Sequence, residues 1–153
     1  EDTRVTAKLL SAYGIKADLS SYHDHNGPAQ RPRLLAAIRD GKSVAYVSDA
    51  GTPLIADPGS RLAADTISEA LPVTSAPGAS ALLAALAVAG LPTDRFLFAG
   101  FPPVKAVAKA KFLAEFAAVP ATLVFYESPR RLADCLTAME TAFGGDRAVA
   151  VCR

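Results

Sequence analysis

Apolar and polar positions along this chain follow two rhythms, one helical and one extended, and the two take turns. Asp2 or Thr3 is placed to cap a first helix running to about Tyr13, with Gly14 as its stop. Ala17 to Tyr22 reads as a short strand leading into the polar run His23-Asp24-His25-Asn26-Gly27. Leu34, Leu35 and Ile38 recur at helical spacing within Pro28 to Asp40, and Gly41 ends that helix. Ser43 to Ser48 is predicted as a buried strand, Ser60 to Ala70 as a helix, and Pro72 to Ser75 as extended chain. Pro77-Gly78-Ala79-Ser80 then opens an alanine- and leucine-rich helix that stops at Gly90.

After Leu91-Pro92-Thr93-Asp94 the alternation restarts. Phe96 to Phe98 is predicted extended, Lys105 to Ala118 helical, Ala121 to Tyr126 a buried strand and Pro129 to Phe143 helical. Gly144 and Gly145 turn the chain into a last strand, Ala148 to Cys152. Strands alternating with crossover helices predict an α/β protein with mainly parallel sheet, above all in the first lobe. The Gly90–Asp94 turn divides it into an N-terminal lobe, 1–92, and the start of a second lobe, 93–153. Glu1 falls at a helix start and Arg153 directly after an apolar strand, so both ends read as cut from something longer.

Composition narrows the class. Apolar residues make up 51% of the 153 residues, which excludes disorder and promises a substantial core. The net charge of +1 favours no partner by itself. Cys135 and Cys152 lie outside any CxxC pattern in apolar surroundings and read as reduced core residues of an intracellular protein, with a disulfide as the alternative. No stretch reaches the roughly eighteen uninterrupted apolar residues of a membrane span, and no signal peptide is expected.

The candidate chemistry lies in loops. SVAYVSDAGTPLIADPG, residues 43–59, ends an apolar run in Asp49 and continues through a loop carrying Gly51, Pro53, Pro58 and Gly59. Such a loop is longer than the roughly two to six residues usual for a strand-to-helix connection. A stiffened glycine-bearing loop at a strand end is where open α/β sheets place ligands. Pro77-Gly78-Ala79-Ser80 follows the same logic, reading either as a capped helix start or as free amides facing a ligand. Two such loops after consecutive strands would lie side by side. Neither GxGxxG nor GxxxxGK[ST] occurs, which argues against dinucleotide or nucleoside-triphosphate binding. His23 and His25 are the only histidines; without further ligands at metal spacing they suit general-base work or a solvated turn, and no metal is expected. Glu1-Asp2-Thr3-Arg4 sits at a helix start, where acids are favoured by the helix dipole. Lys105, Lys109, Lys111, Arg130 and Arg131 give the second half a positive bias, as solvated charges or as phosphate contacts.

Taken in order, EDTR, HDHN, VSDAGTPLIADPG, PGASALLAALAVAGLPTDRFLFAGFPP and TLVFYESPRRL resemble the small-subunit (16S) ribosomal RNA (cytidine-2′-O)-methyltransferases, within the tetrapyrrole methylase superfamily. The DAGTP and FYES versions, with HDHN, separate the RNA enzymes from tetrapyrrole relatives, which carry a GDP triplet in the first loop. The resemblance implies a two-lobed α/β fold with S-adenosylmethionine in the cleft between lobes, a homodimer, a cytoplasmic location and small-subunit rRNA as substrate. It assigns the cofactor to Asp49, Gly51, Thr52, Pro53, Leu54, Ile55, Ala79, Ser80 and Tyr126. His23 or His25, with Asp24 or Glu1 orienting or substituting, is the candidate base for a ribose 2′-hydroxyl. Thr52 stands where tetrapyrrole relatives have Asp, and Arg130 where a histidine is common. A TPIGNL-like first strand ahead of EDTR and most of the second lobe, after RELTK, are missing here, so this piece alone is expected to be inactive. The rival expectations are a uroporphyrinogen- or precorrin-type tetrapyrrole methyltransferase and a non-catalytic α/β module.

Overall fold

The computed structural model of the chain describes residues 2–153. In chain order its elements are α1 (Thr3–Ala12), α2 (Gly27–Arg39), α3 (Ser60–Ser68), α4 (Ala81–Val88), β1 (Phe96–Gly100), α5 (Ala106–Ala114), β2 (Thr122–Phe125) and α6 (Leu132–Phe143). The chain divides into two compact units, one ending at Ser80 and the other covering Ala81–Arg153. The division falls at the start of α4, ahead of the Gly90–Asp94 turn, which lies within the second unit.

In the first unit each helix is closed by the same device. The Gly14 amide donates to Ser11 O and the Ile15 amide to Leu10 O, satisfying carbonyls at the end of α1. Gly41 and Lys42 repeat this on Ile38 and Ala37 at the end of α2. Ala70 and Leu71 repeat it on Ile67 and Thr66, so α3 ends at Ser68 rather than at Ala70. The closing residue must turn left-handed: Gly14 has φ 64° and Gly41 φ 82°, while Ala70 does so at φ 55° with a Cβ. Between α2 and α3 lies an apolar core of Tyr22, Leu35 and Leu62, with Leu34 and Tyr46 against it. Arg31–Asp65 and Arg39–Glu69 ion pairs flank that packing.

The parallel pairing expected of the first lobe is found in the second unit instead. β1 and β2 pair in parallel, Phe96 with Thr122, Leu97 with Leu123 and Phe98 with Val124. An irregularity follows Phe98, and Gly100, at φ 69°, pairs with Phe125. α5 supplies the crossover that parallel strands require. Ser43–Ser48, Pro72–Ser75, Ala17–Tyr22 and Ala148–Cys152 stand outside any ladder. An apolar run becomes a strand only by pairing, and Val44 (38% exposed) and Val73 (47%) are not covered as strand side chains in a sheet would be. The core of this unit is Leu113, fully buried, with Cys135 and Leu86, and the rings of Phe112, Phe116, Phe125 and Phe143 pack edge to face or stacked beside it.

Candidate functional site

The loop 49–59 is held in a conformation its sequence does not favour. Gly51 (φ 72°), Leu54 (φ 72°), Ala56 (φ 55°) and Gly59 (φ 109°) are all left-handed. For Leu54 and Ala56 this costs about 1–2 kcal/mol each, so neighbouring structure must over-determine it. Three contacts do so. At the loop's head the Asp2 amide donates to Asp49 Oδ1 at 2.9 Å. In the middle Thr52 Oγ1 donates to Ala79 O at 3.0 Å. At the exit a Cβ on Gly59 would stand 2.7 Å from Leu54 Cδ2 and 3.0 Å from the Tyr46 ring, so only glycine fits beneath them.

The second of these contacts joins the two predicted ligand loops directly. Ala79 precedes Ser80 and belongs to Pro77-Gly78-Ala79-Ser80, and a Cβ on Gly51 would lie 4.0 Å from the same Ala79 carbonyl. Around Gly78 there is open space, with no atom within 4 Å of a built Cβ. Asp49, Gly51, Thr52 and Ala79 are therefore brought together; Pro53, Leu54 and Ile55 follow in the same loop, with Ile55 47% exposed. Ser80 follows Ala79 in the chain and is half-buried.

The donor set is acidic and carbonyl-rich. Asp2 and Asp49 share a hydrogen bond at the loop head, and Asp57 adds a carboxylate whose Oδ2 is buried without a hydrogen-bond partner. Arg4 grips Asp2 through Nε and Nη2, and with the Arg4 amide it holds the Asp2 carboxyl at about 2. Acceptors of this kind suit a cationic or amine-bearing ligand and suit a phosphate poorly.

Of the predicted catalytic residues, Glu1 lies outside the described residues. His23, Asp24 and His25 form a tight turn: Asn26 Oδ1 accepts the His23 amide, and Asn26 Nδ2 donates back to Ser21 O and Oγ. Asp24 and His25 are exposed, whereas His23 is half-buried and its Nδ1 is buried without a hydrogen-bond partner. The two imidazole rings lie 5.9 Å apart. Tyr22, just before the turn, meets Tyr46 edge to face at 5.9 Å, and Tyr46 in turn roofs Gly59. This tyrosine pair, which ties the histidine turn to the loop exit, escaped sequence reading. The only signal was an aromatic placed just before each polar loop. Among the described residues no group of His, Cys, Asp and Glu is arranged to hold a metal ion.

In the second unit Tyr126 ends the run of β2. Its ring packs on Phe98 and Phe101, and its hydroxyl accepts the Leu82 amide at 3.0 Å, satisfying one free donor in the first turn of α4. Beside it Glu127 is held through Oε1 by Arg131 and the Ser128 amide. Burial first, then the nearby Glu127 charge, pushes the Cys135 thiol up, as suits a core residue, whereas Cys152, expected in the core as well, is exposed; both thiols are free. This unit also carries a groove of about 910 Å³ lined by residues such as Leu86, Phe125, Leu136, Phe143 and Val149. None of the predicted catalytic or cofactor residues lines it.

The chain belongs to the tetrapyrrole (corrin/porphyrin) methylases, which match it over residues 3–153. A curated relative from Mesorhizobium japonicum, named ribosomal RNA small subunit methyltransferase I, is 53% identical over the whole chain and 52% of its own length. Proteins of the same name from Xylella fastidiosa and Mycobacterium tuberculosis are each 46% identical over the whole chain, covering 56% and 54% of theirs. The chain thus spans about half the length of these relatives.

Proposed function

We propose that this chain supplies the methyl-donor loops of an S-adenosylmethionine-dependent rRNA methyltransferase, which modifies the ribose 2′-hydroxyl of a cytidine in 16S rRNA. The observation that carries the reading is the Thr52–Ala79 hydrogen bond, which joins two glycine- and proline-bearing loops directly. The names of relatives 42–53% identical over the full chain support rRNA of the small subunit as the substrate. Asp49, Gly51, Thr52, Pro53, Leu54, Ile55, Ala79 and Ser80 are assigned to the donor. Tyr126 enters as a further donor contact on the sequence resemblance alone. A homodimer and a cytoplasmic location belong to the same reading; among the described residues no helix is long and apolar enough to cross a membrane.

When bound, S-adenosylmethionine supplies a methyl group already activated by its sulfonium. The chain's own task is then to hold donor and acceptor in register and to exclude competing geometry. The carboxylates at the loop head favour the positive end of the donor. A ribose hydroxyl is a weak nucleophile at neutral pH, so an acceptor for its proton accelerates transfer. His23 or His25, with Asp24 or Glu1 orienting or substituting, are the candidates for that role; of the two histidines His25 is exposed and His23 half-buried.

Mass mapping of 16S rRNA treated with the full-length protein tests the reading. One cytidine is expected to gain a ribose methyl, and RNA binding is expected to weaken steeply with salt. Single-turnover rates of His23→Ala and His25→Ala then assign the base, with a loss of about 10²-fold expected in the variant that removes it. Methylation of a base, or of a tetrapyrrole in place of RNA, contradicts the proposal; unchanged rates in both variants remove the histidines.

A further inference from the structure

Asp2 does two things at once. As the N-cap of α1 it has an extended backbone (φ −89°, ψ 112°), and its Oδ1 accepts the Arg4 amide at 2.8 Å. That conformation turns its own amide away from the helix and onto Asp49 Oδ1, across a sequence separation of 47 residues. The carboxylate is further locked by the Arg4 guanidinium, which contacts both of its oxygens. Arg4 is 87% exposed on its side chain, and its ion pair with Asp2 raises its own pKa, with a small contribution from the Asp49 charge. The first helix start and the head of the loop 49–59 are therefore mechanically one object.

We infer that Asp2 is a positioning residue for the donor loop, acting through Asp49, an inference that rests on the methyl-donor reading of that loop. The cap fixes the direction of the Asp2 amide. That amide fixes Asp49, and Asp49 sets where the stretch carrying the left-handed residues Gly51, Leu54 and Ala56 begins. Asp2 itself need not touch the donor. Loss of the cap frees the amide to swing, and the loop then samples conformations in which Leu54 and Ala56 relax out of the left-handed region.

Amide exchange and calorimetric titration of the full-length protein with S-adenosylmethionine test this together. In Asp2→Ala the amides of Gly51 to Ile55 are expected to exchange faster without ligand, and the Kd to rise about three- to tenfold, the scale of one lost hydrogen bond. Asp2→Asn keeps an equally good cap and is expected to stay within about twofold of the original. Asp49→Ala, which removes the tether's acceptor together with a donor contact, weakens binding at least as much, and adding Asp2→Ala to it changes nothing more. Protected amides at Leu35 and Leu62 report that the core of the unit stays folded in each variant. Unchanged loop exchange in Asp2→Ala overturns the inference, as do Asp2 and Asp49 effects that multiply, which would mark simple fraying of α1. If the unsubstituted protein binds no donor while the loop still loosens in Asp2→Ala, the donor reading fails and the tether alone stands.

Discussion

Gly59 and Gly41 are both left-handed, at φ 109° and 82°, but only one of them is enclosed. A Cβ on Gly41 meets nothing within 4 Å, whereas on Gly59 it meets Leu54 and Tyr46 at 3.0 Å or less. Gly41→Ala is therefore expected to cost only the backbone penalty of about 1–2 kcal/mol. Gly59→Ala adds overpacking and should cost about 2–5 kcal/mol in all. Thermal or denaturant unfolding compares them directly. Equal losses would mean that the Leu54–Tyr46 roof gives way freely and does not hold the loop. The same contrast marks what a residue-level reading of the sequence can reach. The demand for glycine at a strand-to-helix loop was visible, but which glycine sits beneath an aromatic ring was not, because Tyr46 lies thirteen positions earlier by number and meets Gly59 only in the fold.

At the scale of elements, helix starts and stops were the most legible feature. Asp2, Gly14 and Gly41 act where capping chemistry put them, because that chemistry is local. Ala70 broke the rule by turning left-handed without being glycine, which cut α3 short. The strands divided along the same line. β1 and β2 formed where expected because each finds the other through the α5 crossover. Ser43–Ser48 reads equally well as a strand, yet strand formation depends on a neighbour that no local pattern specifies. The Asp2 cap makes an element-scale prediction. Its carboxyl is lowered from the ordinary 3.8 to about 2 by the Arg4 side chain and then the Arg4 amide. A folded value below the unfolded one means the cap's contribution is fully present above about pH 4 and is lost as the pH falls through about 2. NMR titration of the Asp2 carboxyl should show that low midpoint, and Arg4→Ala should return it toward 3.8. An ordinary midpoint in the unsubstituted protein would show that the Arg4 grip does not persist in solution.

For the molecule as a whole, each unit has its own core and its own share of the candidate chemistry. The first joins Asp2 to Asp49 and Thr52 to Ala79. The second presents Tyr126 at the first turn of α4 and a wide apolar groove apart from the predicted site residues. The balanced net charge of +1 gave no hint of an RNA substrate, and the loop motifs carried that reading instead. Family membership follows from the match over residues 3–153, whereas the chemistry of the full-length protein rests on what the two loops bind.

Calorimetric titration of the full-length protein and its Thr52→Val variant with S-adenosylmethionine measures that most directly. The unsubstituted protein is expected to bind one donor per chain. Thr52→Val, which keeps the side-chain volume and removes only the hydroxyl that reaches Ala79, should bind about three- to tenfold more weakly with its fold intact. No binding by the unsubstituted protein, or equal affinity in the variant, would contradict a donor site built from the joined loops.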